Sequence, residues 1–326
     1  MPGTSLIAPA IRGQIRGQMS SRVVLLFSGQ GAQTVGMAKD LAEGFPSVAA
    51  RFAQADAILG FGLSAVMFDG PEDELKRTSF CQPALYLHGY ACLDCLRERV
   101  DLDIAAAAGL SLGEFTAYAA ASAFSFEDGL RLVARRGAFM EEACKETEGS
   151  MAAMIGGEES AVRRLAEAAD VDVANLNAPG QIVISGSREG IAKAIAEAKD
   201  FGIRISKELN VAGAYHSRLM QSAKAKLSAE LAATRLEPPR FPVVGNFRAD
   251  AIDAPDGIRH SLEAQVTGSV RWAESMEKLL DAGHDLFLEL GPGGVLEGLM
   301  KRIRKGVRVI GVHDRPSLEA AVAELS

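Results

Sequence analysis

Ser111 is the residue around which chemistry can be built. It sits at the centre of Gly109-Leu110-Ser111-Leu112-Gly113, a Gly-x-Ser-x-Gly pattern. The stretch before it, Asp103 to Ala108, is short, apolar and uncharged after its first residue. The stretch after it, Phe115 to Ala121, is small and compatible with a helix. Strand, sharp turn and helix in that order are the context in which such a serine is a nucleophile, with its hydroxyl lifted clear of the backbone. The competing reading is a plain strand-to-helix turn.

A serine hydroxyl needs a base to take its proton. Five histidines are available. His88 lies mid-helix on an apolar face and reads as packed in the core. His260 lies on a short polar helix and reads as solvated. His284 precedes a strand in Gly283-His284-Asp285, and His313 stands beside Asp314 and Arg315 near the C-terminus. His216 differs: it follows Gly213-Ala214-Tyr215 at the exit of a small inserted unit and heads the next helix. Sites form at such junctions, so His216 is the expected base, with a structural or capping role as its alternative.

The elements that must hold these residues follow from the pattern. Val23 to Phe27 reads as a buried parallel strand running into the loop Ser28-Gly29-Gln30-Gly31. That loop satisfies neither Gly-x-Gly-x-x-Gly nor Gly-x4-Gly-Lys-Ser/Thr, so a nucleotide cradle is disfavoured. Helices are expected from Gln82-Pro83 to about Arg99 and from Phe126 to about Cys144, the latter carrying Arg135-Arg136. Between residues 148 and 216 strands and helices alternate as β-α-β-β-α-β, the ferredoxin-like order. Its last strand is expected over Ile203 to Val211. After it come a helix from Ser217 to about Thr234, a strand at Val243-Val244, and helices at His260–Val266 and Val270–Asp281. Strands at Leu286–Leu290 and Val307–Val312 close the chain. The fold class is therefore α/β: a domain over 22–147 and 217–326, interrupted by a small domain over 148–216.

Length and composition set limits. The chain has 326 residues, 48% of them hydrophobic, and a net charge of −7. The charge argues against nucleic acid as a partner, and no apolar run is long enough to span a membrane. Cys92 and Cys95 form a C-x-x-C inside an apolar helical pattern without a second pair, so no metal site is read. All four cysteines, with Cys81 and Cys144, read as thiols in a reducing compartment. Residues 1–21 read as an N-terminal extension, disordered or a targeting peptide, with Met19 as an alternative start.

Seven ordered motifs carry a resemblance: Gly29-Gln30-Gly31, Gly109-x-Ser111-Leu112-Gly113-Glu114, Arg136-Gly137, Asn177-x-Pro179-Gly180-Gln181, Gly213-Ala214-Tyr215-His216, Gln265, and Glu289-x-Gly291-Pro292-Gly293. From about residue 22 onward the chain resembles the malonyl-CoA:acyl carrier protein transacylases. The resemblance implies an α/β-hydrolase-like large domain with the ferredoxin-like insert. It implies Ser111 as nucleophile, His216 as base, and a backbone carbonyl near Gln265 that orients the histidine. The oxyanion hole would be the N–H groups of Leu112 and Gln30. Arg136 would clamp the free carboxylate of a malonyl group, since a guanidinium fork pairs bidentately with one; Arg135 lies about 100° away on the helix. Tyr215 and Gln265 would line the substrate pocket.

The implied substrates are malonyl-CoA and the phosphopantetheine thiol of acyl carrier protein, with no permanently bound cofactor. A cytoplasmic location and a monomer are the default readings. A serine esterase or thioesterase, and an acyltransferase of a polyketide pathway, are the alternatives. Two positions depart from the family pattern: Leu110 stands where a histidine is usual, and Ser28 where a proline is usual. An acidic carrier protein calls for a basic docking patch, and Lys301, Arg302, Arg304, Lys305 and Arg308 form the densest basic run.

Overall fold

A computed structural model describes residues 22–326; the expected N-terminal extension, its targeting role and Met19 lie outside the described residues. Among the described residues, ten strands form two sheets. The larger contains β1 (Val23–Phe27), β2 (Ile104–Gly109), β7 (Val243–Gly245), β8 (Asp250–Ala251), β9 (Leu286–Leu290) and β10 (Arg308–Val312), in the order β10-β9-β1-β2-β7-β8. All its pairings are parallel except β7 with β8. The smaller contains β3 (Gly149–Ile155), β4 (Asp172–Ala178), β5 (Gln181–Ser187) and β6 (Ile205–Glu208), in the order β4-β5-β3-β6, and is antiparallel throughout.

The sequence of β1 explains its central place. Parallel strands joined by helical crossovers are covered on both faces, so a strand between two others has no polar face to spare. All five residues of Val-Val-Leu-Leu-Phe are buried. Because side chains alternate, Val23, Leu25 and Phe27 enter one core while Val24 and Leu26 enter another.

The small sheet divides in the same way. Ala152, Met154, Ile182 and Ile184 face a core shared with the helices Glu159–Ala168 and Arg188–Glu197. Met151 and Val183 point the opposite way and join the main core. The small unit is thus packed onto the large one through part of its other face, at Met151, Ala174 and Val183. The link continues at its edge, where Asn175 of β4 bridges Val270.

Several boundaries differ from expectation. Pro83 does not open its helix: the helix runs Thr78–Arg97 with Pro83 inside it. Proline lacks only the N–H that would reach Ser79, one turn from the start, where little of the helix precedes it. β6 covers four residues rather than Ile203 to Val211, because the ladder with β3 runs only from Ile205 to Glu208, with one further bond from the Leu209 N–H to the Met151 oxygen, before the chain turns away towards Gly213. The helix expected at His260–Val266 runs Pro255–Ala264, and the next begins at Trp272. A C-terminal helix, Arg315–Leu325, was not expected; a reciprocal capping box of Asp314 and Ser317 starts it. Among the described residues no helix is long and apolar enough to cross a membrane.

Candidate active site

Where β2 meets the helix Gly113–Ala120, backbone lies against backbone. A Cβ on Gly109 would stand 1.9 Å from the Gly113 carbonyl carbon, and one on Gly113 would stand 2.2 Å from the Phe27 oxygen. Only glycine permits this approach, and the crossing forces the residue between into a sharp turn. Ser111 has φ +54°, in the left-handed region, a conformation that costs a residue of its type about 1–3 kcal/mol. Asn246, just after β7, braces the turn: its Oδ1 accepts the Ser111 N–H at 2.6 Å and its Nδ2 donates to the Gly109 carbonyl at 2.7 Å.

His216 is also in the left-handed region, at φ +56°, as the chain leaves the small unit. Its Nε2 lies 2.7 Å from Ser111 Oγ and its Nδ1 lies 2.7 Å from the Gln265 main-chain oxygen. A carbonyl only accepts, so Nδ1 carries the proton and Nε2 presents a lone pair to the serine hydroxyl. Burial and then the charge of Arg136 lower the His216 pKa to about 4. The imidazole is therefore neutral near pH 7, the state a base requires.

Arg136 lies on the helix Phe126–Glu146 with 1% of its surface exposed, whereas Arg135 beside it faces solvent. Its Nη2 donates to Ser111 Oγ at 3.1 Å and to Gln265 Oε1 at 2.7 Å; its Nη1 donates to Gln82 Oε1 at 2.7 Å. The Phe115 ring lies 5.4 Å from the guanidinium carbon. Burial lowers the arginine to about 10, opposed by the charge of Glu114. A buried guanidinium hydrogen-bonded only to neutral oxygens is a receptor for an anion.

Gln265 joins the parts. Its main-chain oxygen holds His216, its Oε1 accepts from Arg136, and its Nε2 donates to the Ser111 carbonyl at 3.0 Å and to Glu114 Oε2 at 2.6 Å. Tyr215 is buried, and its hydroxyl shares a 2.6 Å hydrogen bond with Thr78 Oγ1. The Ser111 N–H is occupied by Asn246, while the N–H groups of Leu112 and Gln30 have no acceptor among the described residues. Those two amides are free to receive a developing oxyanion.

Ser111, His216, Arg136 and Gln265, which the sequence singles out, thus lie in one hydrogen-bonded cluster. His88 is buried away from it, with Nε2 on the His313 carbonyl at 2.8 Å. Cys81, Cys92 and Cys95 are buried free thiols, and Cys144 is free and partly buried; burial pushes Cys81 and Cys95 up to about 12. The two departures are absorbed locally. Ser28 donates to the Pro292 carbonyl at 3.1 Å, tying the Gln30 loop to the turn after β9. Leu110 packs beside Gly29 and against the second core. In the basic run, Lys301 pairs with Glu297, Arg304 with Asp281 and Arg308 with Glu324, so much of its charge is already balanced.

Four participants were not anticipated: Gln82, Glu114, Asn246 and Ser261. Glu114 is the one charged residue of the helix Gly-Glu-Phe-Thr-Ala-Tyr-Ala-Ala, all of which is buried. A lone acid in so apolar a helix is a signal that was present in the sequence.

The acyl transferase domain family matches residues 24–317. The chain belongs to the acyl transferase family. This acyltransferase is 39% identical over 311 residues to the malonyl CoA-acyl carrier protein transacylase of Bacillus subtilis, spanning 94% of this chain and 98% of that one. The structure of the malonyl CoA-acyl carrier protein transacylase from Coxiella burnetii superposes with a TM-score of 0.91 at 34% identity, covering 94% of this chain and 98% of that chain. A malonyl-transacylase solved in complex with its type II PKS acyl-carrier protein superposes with a TM-score of 0.90 at 36% identity, covering 93% of this chain and all of that one.

Proposed function

We propose that this acyltransferase moves the malonyl group from malonyl-CoA to the phosphopantetheine thiol of an acyl carrier protein. The observation that carries the reading is Arg136: a buried guanidinium, held only by neutral oxygens, 3.1 Å from the serine hydroxyl. A malonyl carboxylate offers it the ionic partner it lacks; an acetyl group leaves it unpaired, which is costly in a buried site.

The steps follow from the geometry. His216 Nε2 takes the Ser111 proton as Oγ attacks the thioester carbon, and the Leu112 and Gln30 N–H groups receive the negative charge on the carbonyl oxygen. The C–S bond then breaks, the imidazolium gives its proton to the departing CoA thiolate, and malonyl-Ser111 remains. The carrier thiol enters, gives its proton to His216 and attacks the ester; Oγ leaves and recovers the proton. The Gln265 carbonyl stabilises the imidazolium in the place of a triad carboxylate. Gln265 and Tyr215 bound the acyl pocket. No resident cofactor takes part.

We read the large sheet and its helices, 22–147 and 217–326, as an α/β-hydrolase-like domain. We read 148–216 as a ferredoxin-like one, supported by the small sheet order of second, third, first and fourth strand. The likeness to the type II PKS complex favours one second reading, the same chemistry in a polyketide pathway. An esterase or thioesterase has no use for Arg136.

Incubation with malonyl-CoA and holo acyl carrier protein tests the proposal. Malonyl-carrier protein, formed with CoA release, is the expected product. Rapid release of free malonate without malonyl-carrier protein would contradict it.

A further inference from the structure

Glu114 is fully buried beside the reacting serine, and no step of the transfer uses it. It lies in the first turn of the helix Gly113–Ala120, yet its carboxylate reaches other segments. Oε2 accepts the main-chain N–H of Asn246 at 3.0 Å and Nε2–H of Gln265 at 2.6 Å; Oε1 accepts the Ser261 hydroxyl at 3.2 Å.

The consequence falls on Gln265. A primary amide has two ends of similar size and opposite hydrogen-bonding sense. Oε2 of Glu114 faces the Asn246 N–H, which cannot reverse, so this oxygen stays an acceptor. It therefore requires the nitrogen end of Gln265, as does the Ser111 carbonyl at 3.0 Å, and the 2.6 Å bond to the carboxylate is the charge-assisted one of the two. The oxygen end is then turned to Arg136 Nη2, at 2.7 Å. With the amide reversed, an NH2 group would meet the guanidinium, donor against donor, and the fork would lose its place over Ser111. Burial raises Glu114 to about 7, against the pull of its three donors and Arg136. A proton taken up near that pH belongs on Oε1, where the Ser261 oxygen can accept it, and Oε2 keeps its role in both states.

We propose that Glu114 is a positioning residue that sets substrate choice: it fixes the Gln265 amide, and through it the Arg136 fork that receives the substrate carboxylate. The inference rests on the acyl-transfer reading above. It separates from a merely structural role, because a malonyl donor carries a carboxylate for the fork to pair with and an acetyl donor does not.

The test is the rate of Ser111 acylation, followed by intact mass with malonyl-CoA and with acetyl-CoA. Glu114→Met removes the acceptor at similar volume. It should slow malonylation about tenfold or more, the loss of a charge-assisted hydrogen bond, with acetylation much less affected, so the malonyl-to-acetyl ratio falls. Glu114→Gln can place its carbonyl oxygen where Oε2 stands and its NH2 on the Ser261 oxygen, and should retain the ratio within about threefold. Gln265→Met keeps the main-chain carbonyl on His216 but also loses the bond to the Ser111 carbonyl; it should slow both acylations, malonylation the more, so that the ratio falls, and Glu114→Met added to it should lower the ratio no further. Should Glu114→Met not fold, Gln265→Met and Glu114→Gln still decide. Equal loss of both acylations in Gln265→Met, or a ratio in Glu114→Gln as low as in Gln265→Met, would overturn the inference alone. A wild-type protein that forms no malonyl-Ser111 would overturn the acyl-transfer reading and the inference with it.

Discussion

At Ser111 and His216, each residue's conformation is strained and each side chain is held from two sides. Both have positive φ, and together they spend a few kcal/mol of folding free energy on geometry. The return is a hydroxyl already hydrogen-bonded to a neutral imidazole. Burial and Arg136 keep His216 down to about 4, which gives a prediction with a definite sign. When a substrate carboxylate neutralises Arg136, one of the two causes of depression is removed and His216 becomes more basic. The pH profile of kcat/KM for acylation, which reports free enzyme, should bend near pH 4. The profile of kcat, which reports the bound complex, should bend at a higher pH. Rapid-quench acylation rates measured from pH 3 to 8 would show this, and coincident bends would contradict it.

At the scale of elements, the site depends on how closely strand and helix cross. Gly113→Ala places a methyl 2.2 Å from the Phe27 oxygen and should cost about 3 kcal/mol or more in chemical denaturation. Gly298, in the helix Val295–Ile303, has nothing within 4 Å of the same position, so Gly298→Ala should stabilise by about 0.5–1 kcal/mol. Similar effects of the two substitutions would argue against the crossing. Asn246→Asp tests the brace across the turn. It replaces the donor to Gly109 by a second acceptor, and should slow Ser111 acylation about tenfold or more while the protein stays folded by circular dichroism.

These elements also show what a sequence discloses. The elbow was legible because its two glycines and its serine are adjacent in the chain, and β1 because a run of five apolar residues has only one place in a parallel sheet. Arg136 was legible only through its motif. Asn246 and Ser261 were not legible: they lie 135 and 147 residues from the groups they bind, on segments with no local pattern to mark them. Glu114 was visible as a residue, but its burial depends on neighbours from three other segments. The extent of β6 was misjudged because a strand ends where its partner does, and the partner is remote in sequence.

For the whole molecule, buried titratable groups set how it responds to acid. His88 and His216 are both lowered to about 4, each by burial first. Between their ordinary value near 6.5 and about 4, the unfolded chain binds more protons at these sites than the folded one. Stability therefore falls as pH falls through that window. Glu114, raised to about 7 by burial, acts in the opposite sense, because its folded form binds the proton first. Asp94 and Glu289, also raised by burial, act with Glu114, so the histidines' share of the decline in Tm from pH 6.5 to 4.5 is read by substitution. His88→Gln, which keeps a donor for the His313 carbonyl and touches no reacting atom, should make that decline shallower. A slope unchanged by this substitution would show that His88 titrates as an exposed histidine does.

The central claim is that Ser111 carries the acyl group and Arg136 selects it. Single-turnover acylation by malonyl-CoA and acetyl-CoA, read by peptide mass mapping of wild type and Arg136→Ala, tests both parts together. The expected result is a malonyl group on the Ser111 peptide of the wild type. In Arg136→Ala, malonylation should be slowed about 100-fold or more and acetylation should be as fast or faster. A malonyl group on any other residue, or an unchanged malonyl preference in Arg136→Ala, would contradict the account.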